Sequence, residues 1–134
     1  MGMPISLVFC ITAVLSLLLS VPASAAVEQV KGTITGNVTW THDNIYRITG
    51  ETTIDKDAVL TIEPGTIVKM GDGVEFYVVG TLNALGASSS RIVFTSIHDD
   101  SVGGDTNGDG SATSPKPGDW VCILPGSDGT VNLD

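Results

Sequence analysis

Residues 57–71 read Asp57-Ala58-Val59-Leu60-Thr61-Ile62-Glu63-Pro64-Gly65-Thr66-Ile67-Val68-Lys69-Met70-Gly71. Two short runs of β-branched and aliphatic residues flank the turn Glu63-Pro64-Gly65. Such residues fit a pleated, half-buried surface, whereas Pro and Gly fix the corner. Alternation sets the faces. Lys69 is expected to face water, which turns Val68 and Met70 inward.

The same pattern extends in both directions. Strand-like runs are expected at 32–41, 46–49, 59–62, 66–70, 74–79, 81–85, 91–97, 120–123 and 130–133. Asp55-Lys56-Asp57, Gly71-Asp72-Gly73 and Gly86-Ala87-Ser88-Ser89-Ser90 separate them. Outward Glu75 turns Val74, Phe76 and Val78 inward, and outward Arg91 does the same for Ile92 and Phe94. The opposite faces still carry Ile67, Tyr77, Val79 and Val93. Strands apolar on both faces point to parallel stacking or a covered outer surface. Gly-Thr followed by an aliphatic residue recurs at Gly32-Thr33-Ile34, Gly65-Thr66-Ile67, Gly80-Thr81-Leu82 and Gly129-Thr130-Val131, with a looser copy at Gly50-Glu51-Thr52-Thr53-Ile54. The copies at 50, 65 and 80 are equally spaced. Recurring short strands with glycine corners describe a solenoid, whose coils bury their apolar faces only by stacking. A β-sandwich is the simpler alternative.

Residues 57–71, with Gly80-Thr81-Leu82-Asn83-Ala84 and Arg91-Ile92-Val93-Phe94-Thr95-Ser96, resemble the repeat of secreted right-handed parallel β-helix proteins of the pectate-lyase-like fold. Thr39-Trp40-Thr41 and Tyr46-Arg47-Ile48-Thr49-Gly50 resemble that family's N-terminal entry, and the likeness spans roughly 30–124. It implies an all-β, right-handed parallel β-helix, with residues 30–50 as an N-terminal cap. It does not settle function, because one fold hosts many activities. Family members continue for further coils, whereas this chain stops at Asp134. Where they carry small glycines after Gly-Asp-Trp, it has Gly118-Asp119-Trp120-Val121-Cys122. Either Asp134 ends a fragment or the last coil stacks end to end on a partner through its open edge.

The first residues belong to export rather than to the fold. An uncharged apolar run from 5 to 21 ends in Pro22-Ala23-Ser24-Ala25-Ala26. That is the layout of a signal peptide over 1–25, although the region before the run lacks Lys and Arg. The run is short for a membrane anchor, which needs about 20 residues, so no stable span is expected after cleavage. Met1-Gly2 with Ser6 matches a myristoylation pattern, and Cys10 sits in mid-run where a lipoprotein cysteine would end it. Neither outweighs the export signal. The mature domain, 26–134, is then secreted, extracellular or held at the cell surface. Cys122 is its only cysteine, which excludes an internal disulfide and fits a small buried hydrophobe.

Charge narrows the function. Fifteen acidic residues against six basic ones give a net charge of −9. A surface with no basic footprint excludes nucleic acid and suits divalent cations. The acidity gathers after residue 99, where seven Asp face Lys116 alone. Asp105-Thr106-Asn107-Gly108-Asp109-Gly110 matches the first half of a calcium loop. Calcium takes six to eight oxygens, and alternate side chains of a tight loop converge on one point. The acid expected at loop position twelve is replaced by Lys116, so Asp99, Asp100 or Asp119 would complete the shell. Asp105, Asn107, Asp109, Asp99, Asp100 and Asp119 are thus the candidate ligands, on an acidic inserted loop spanning 99–119. A solvated acidic loop is the competing reading.

Catalysis has less support. The resemblance implies that a lyase would pair calcium with a basic residue, for which Arg47, Lys69 and Arg91 are the candidates. His42-Asp43 and His98-Asp99-Asp100 place His beside carboxylate, but adjacent strand residues point to opposite faces. Trp40, Tyr46, Tyr77 and Trp120 could form a platform for a polysaccharide or cell-surface glycan, with Trp40 also expected to cover the N-terminal end of the core. Asn37-Val38-Thr39 is a glycosylation sequon. The leading expectation is a secreted or cell-surface β-helix module for structure and binding, with a calcium-stabilised loop and no catalysis of its own. The alternative is a polysaccharide lyase-like enzyme or a fragment of one.

Overall fold

A computed structural model describes residues 24–134. The expected signal peptide, apart from Ser24 and Ala25, lies outside the described residues. The described chain forms ten strands and no helix: β1 (Ala26–Ile34), β2 (Asn37–Trp40), β3 (Asn44–Ile54), β4 (Val59–Ile62), β5 (Ile67–Met70), β6 (Glu75–Val78), β7 (Thr81–Ala84), β8 (Val93–Ser96), β9 (Cys122–Pro125) and β10 (Thr130–Leu133). Every pairing between these strands is parallel. The fold is a parallel β-solenoid.

The strands line three faces. The first halves of β1 and β3 stack with β5 and β8, while their second halves stack with β6 and β9. The third face has the order β10-β7-β4-β2. Val38, Leu60, Leu82 and Val131 lie one above another there, so a turn runs from 38 to 60 and again from 60 to 82. The equally spaced copies at 50, 65 and 80 therefore mark corners leading to different faces, not one complete turn each. Residues 30–50 contribute to β1, β2 and β3 at the N-terminal edge of the stack, already in register with the coil that follows.

Alternation decides which side chains enter. Ile48, Met70, Phe76, Val78, Leu60 and Leu82 are fully buried between the faces, with Val68 and Ile54. Each such side chain contributes about 1.5–3 kcal/mol by leaving water. Trp40 is only 4% exposed and stacks on Tyr46 at 4.5 Å between ring centroids. The last coil is less well covered. Ile92, Phe94, Ile123 and Val131 are only partly buried against the core, and Leu124 and Leu133 are exposed.

The corners are tight. At Gly80 an added Cβ would lie 2.1 Å from the Asp55 carbonyl oxygen and 2.3 Å from that of Ala58. These are backbone atoms held in the turn itself, where Ala58 N donates to Asp55 O and Thr81 N donates to Ala58 O. Gly36 poses a different problem: its φ of 70° favours glycine, but the space beside it is open. Gly80→Ala should therefore cost at least about 3 kcal/mol, at the upper end of overpacking effects. Gly36→Ala should cost only about 1–2 kcal/mol of left-handed strain. Urea unfolding of the two variants measures the difference, and equal losses would contradict the steric account of the Gly80 corner.

Candidate metal centre

The long connection between β8 and β9 folds back over the outer surface of the first face. On that surface Gln29, Arg47, Lys69 and Thr95 occupy matching positions on successive strands. Lys69, expected to face water, is fully buried. Its direction was read correctly and its cover was not, because the loop closes over it. Lys69 Nζ donates to the carbonyls of Asp99 at 2.8 Å and Gly104 at 2.6 Å. Arg47 Nη1 donates to the carbonyl of Thr106 at 2.6 Å. Gly103 lies against Ile45 and Ile67, so the loop also covers the apolar positions beside the cations. Burial lowers the pKa of Lys69, and the nearby carboxylates of Asp100, Asp99 and Asp105 oppose that shift. Arg91, the third basic candidate, is exposed.

Pinned in this way, the loop gathers its acids. Ligand oxygens of Asp100, Asp105 and Asp109 all lie within 4.8 Å of one another. Asp105 is held by the loop's own amides: Gly108 N and Asp109 N donate to Oδ1, and Gly110 N donates to Oδ2 at 2.8 Å. Asp109 Oδ1 accepts from Ser111 N and Ala112 N, and its Oδ2 accepts from Asn107 Nδ2 and Thr113 Oγ1. These donors hold both carboxyls below the usual range, led by the Gly110 amide for Asp105 and the Thr113 hydroxyl for Asp109. Asp100 differs. Its Oδ1 is buried and has no hydrogen-bond partner. Three converging carboxylates, one with an unsatisfied oxygen, form the all-oxygen donor set that suits a hard cation.

The other expected ligands lie elsewhere. Asn107 turns its amide nitrogen toward Asp109, and its oxygen accepts from Asp109 N at 3.4 Å. Asp99 is occupied by Ser101 and Thr95, whose hydroxyls lower its pKa in that order. Asp119 accepts from Ser96 Oγ at 2.6 Å and Lys116 N at 2.8 Å, which lower its pKa. It meets Asp72 and His98 instead. Sequence reading passed over Asp72 as a turn residue and set His98 beside Asp99 and Asp100. A cleft of about 340 Å³ runs along this loop, lined by His98, Asp99, Asp100, Ser101, Ser111 and Thr113, with Ser114 and Pro115.

Of the aromatic candidates, Trp40 and Tyr46 are buried and stacked on each other, whereas Tyr77 and Trp120 remain half-exposed. His42 Nδ1 lies 3.3 Å from Glu63 on an exposed corner. Cys122 is half-buried and pairs across the sheet with Glu75. Among the described residues no helix is long and apolar enough to cross a membrane.

Residues 32–109, more than half of the chain, match the family model described as the pectate-lyase like beta helix domain. No curated protein and no solved structure matches.

Two outcomes test this geometry. Lys69→Met keeps the aliphatic stem but leaves the Asp99 and Gly104 carbonyls without their donor, which should cost about 1–3 kcal/mol. Thermal melting measures it, and an unchanged midpoint would mean that the loop does not depend on Lys69. Acid should also loosen the loop. A carboxylate with a depressed folded pKa contributes stability that is complete above its unfolded value, about 3.9, and lost as pH falls through the folded one. Asp99, Asp105, Asp109 and Asp119 all shift in that direction. Exchange protection factors at Gly108, Gly110 and Ala112 should therefore hold at pH 6 and fall below about pH 3.9. Protection unchanged at pH 2.5 would contradict the role assigned to these carboxylates.

Proposed function

The chain belongs to the pectate-lyase like beta helix family, and we propose that it is a secreted or cell-surface module for structure and binding whose acidic loop is stabilised by calcium, with no reaction of its own. The export signal read over 1–25 supports the location. The observation that carries the calcium reading is Asp100. It has a buried, unpartnered Oδ1, and its carboxylate converges with those of Asp105 and Asp109. A buried carboxylate oxygen without a donor is costly, and a divalent cation supplies the missing partner. Hydrogen bonds already hold Asp105 and Asp109 ionised. The ligand expected for the module is a polysaccharide or cell-surface glycan, with the half-exposed Tyr77 and Trp120 as its aromatic contacts.

A second reading draws on Arg47 and Lys69, two cations side by side on one sheet beside converging carboxylates. Cation beside calcium is the arrangement a polysaccharide lyase needs. Here both cations spend hydrogen bonds on loop carbonyls, so this reading requires the loop to lift before a substrate reaches them.

Calcium titration of the metal-stripped protein, by calorimetry with thermal melting, tests the first reading. One equivalent should bind and raise the melting temperature, corresponding to about 2.7 kcal/mol at calcium a hundredfold above Kd. Asp105→Ala combined with Asp109→Ala should abolish both effects. Unchanged affinity in the double variant would refute the site. Incubation with acidic polysaccharides separates the two readings, because a lyase generates unsaturated products with new ultraviolet absorbance, whereas a binding module retains glycan without turnover.

A further inference from the structure

A second cluster lies where the loop leaves and rejoins the solenoid. Asp72 sits in the turn between β5 and β6, His98 follows β8 and Asp119 precedes β9. One ligand atom from each lies within 4.8 Å of the others. His98 Nε2 is 2.8 Å from Asp72 Oδ1. The His98 side chain is 19% exposed and that of Asp72 is 70% exposed, so one side of the cluster is open to solvent.

The protons around His98 point to what this cluster holds. The Asp109 carboxylate only accepts, so Thr113 Oγ1 donates its single proton to it. Thr113 is then an acceptor toward His98 Nδ1, 2.8 Å away. Asn107 Nδ2 also lies 3.4 Å from His98 Nδ1, but its shorter contacts, to Asp109 at 2.9 Å and Thr113 at 3.3 Å, take its two protons. Nδ1 therefore carries a proton. A neutral ring then turns the lone pair of Nε2 toward Asp72 Oδ1, with an Asp119 carboxylate oxygen in the same cluster. Three lone-pair donors facing one another repel unless a cation sits among them.

We propose that Asp72, His98 and Asp119 bind a borderline divalent cation of the zinc class. One imidazole nitrogen and two carboxylate oxygens suit such an ion, whereas calcium prefers oxygen alone. Thr113 supplies the outer hydrogen bond that fixes the ring, as is usual for metal-bound histidine. Ser96 and the Lys116 amide fix Asp119 by way of Oδ2. The backbone is already aligned, since Gly73 N donates to Asp119 O at 2.6 Å. Three protein ligands leave a fourth position toward solvent at Asp72. The ion would clamp both ends of the loop to the turn between β5 and β6. The residues differ from those of the calcium site, to which this one is linked through Thr113 and Asn107, both in contact with His98 and Asp109.

The test uses the full metal-stripped chain in saturating calcium, titrated with zinc by calorimetry and with cobalt by visible absorption. One equivalent of zinc should bind, and cobalt should give d–d bands that zinc removes. His98→Gln and Asp72→Asn should each weaken zinc binding by at least about tenfold. His42→Gln, at the only other histidine, should leave it unchanged. Circular dichroism without metal establishes that each variant folds, and Asp72→Asn in its exposed turn decides the matter if His98→Gln does not. Asp105→Ala plus Asp109→Ala should retain a stoichiometric zinc site while losing calcium, so the two sites can fail separately. Absence of stoichiometric zinc, wild-type affinity in Asp72→Asn, or nitrogen NMR showing both ring nitrogens of His98 protonated in the presence of zinc would overturn the proposal.

Discussion

A buried ammonium group must be solvated by something other than water, and the path of the acidic loop follows from that requirement at Lys69. The carbonyls of Asp99 and Gly104 take the place of water around Nζ. They are dipoles rather than counter-ions, so the carboxylates of Asp99, Asp100 and Asp105 stay free for other partners while their field still offsets the desolvation of the amine. Arg47 repeats the arrangement one strand away with the carbonyl of Thr106. Together the two cations fix the first part of the loop at three backbone points. Residues 100, 105 and 109 can then converge without a helix or a disulfide to hold them.

The solenoid supplies the rigid floor for this cover. Its ladders repeat identical geometry from coil to coil, so Arg47 and Lys69 are presented side by side by register alone. The same register brings the turn between β5 and β6 beneath the loop's return path. His98 and Asp72 thereby become neighbours, as do Ser96 and Asp119. The loop is anchored at its start, middle and end, and each anchor is either a ladder residue or a corner residue.

The sequence made the framework readable because its signals are local. Corner residues such as Pro64 and Gly65 and the alternation of Val68, Lys69 and Met70 located β4 and β5 closely. The run read as 32–41 is divided in the structure at Gly36, whose positive φ turns the chain from β1 into β2. β9 begins two residues later than expected, at Cys122, since Val121 N is used by the Val74 carbonyl. Cover was not legible: alternation states that Lys69 points outward, but a distant loop decides whether water lies there. The carboxylates at 105 and 109 were visible as a spaced motif. The choice of Asp100 over Asp99 and Asp119 was not, since it depends on which neighbours hold hydroxyls, with Thr95 and Ser101 claiming Asp99 and Ser96 claiming Asp119. Asp72 was hidden for the same reason, as its partnership with His98 arises only after a full coil.

The inserted loop also sets how far apart in sequence the paired strands lie. β4 finds β7 across an interval of one coil, from 59 to 81, whereas β6 must find β9 across the interval from 75 to 122. Lengthening a connection costs little at equilibrium, about 0.6 kcal/mol per doubling. It costs more in rate, because distant pairings form late in folding. In the folded chain β9 and β10 cover the edges of β6 and β7, which would otherwise be open to pairing with another chain. By holding the loop back across the sheet, Lys69 and Arg47 keep the long connection short in space, so the strand that closes the edge of β6 stays tethered close to it.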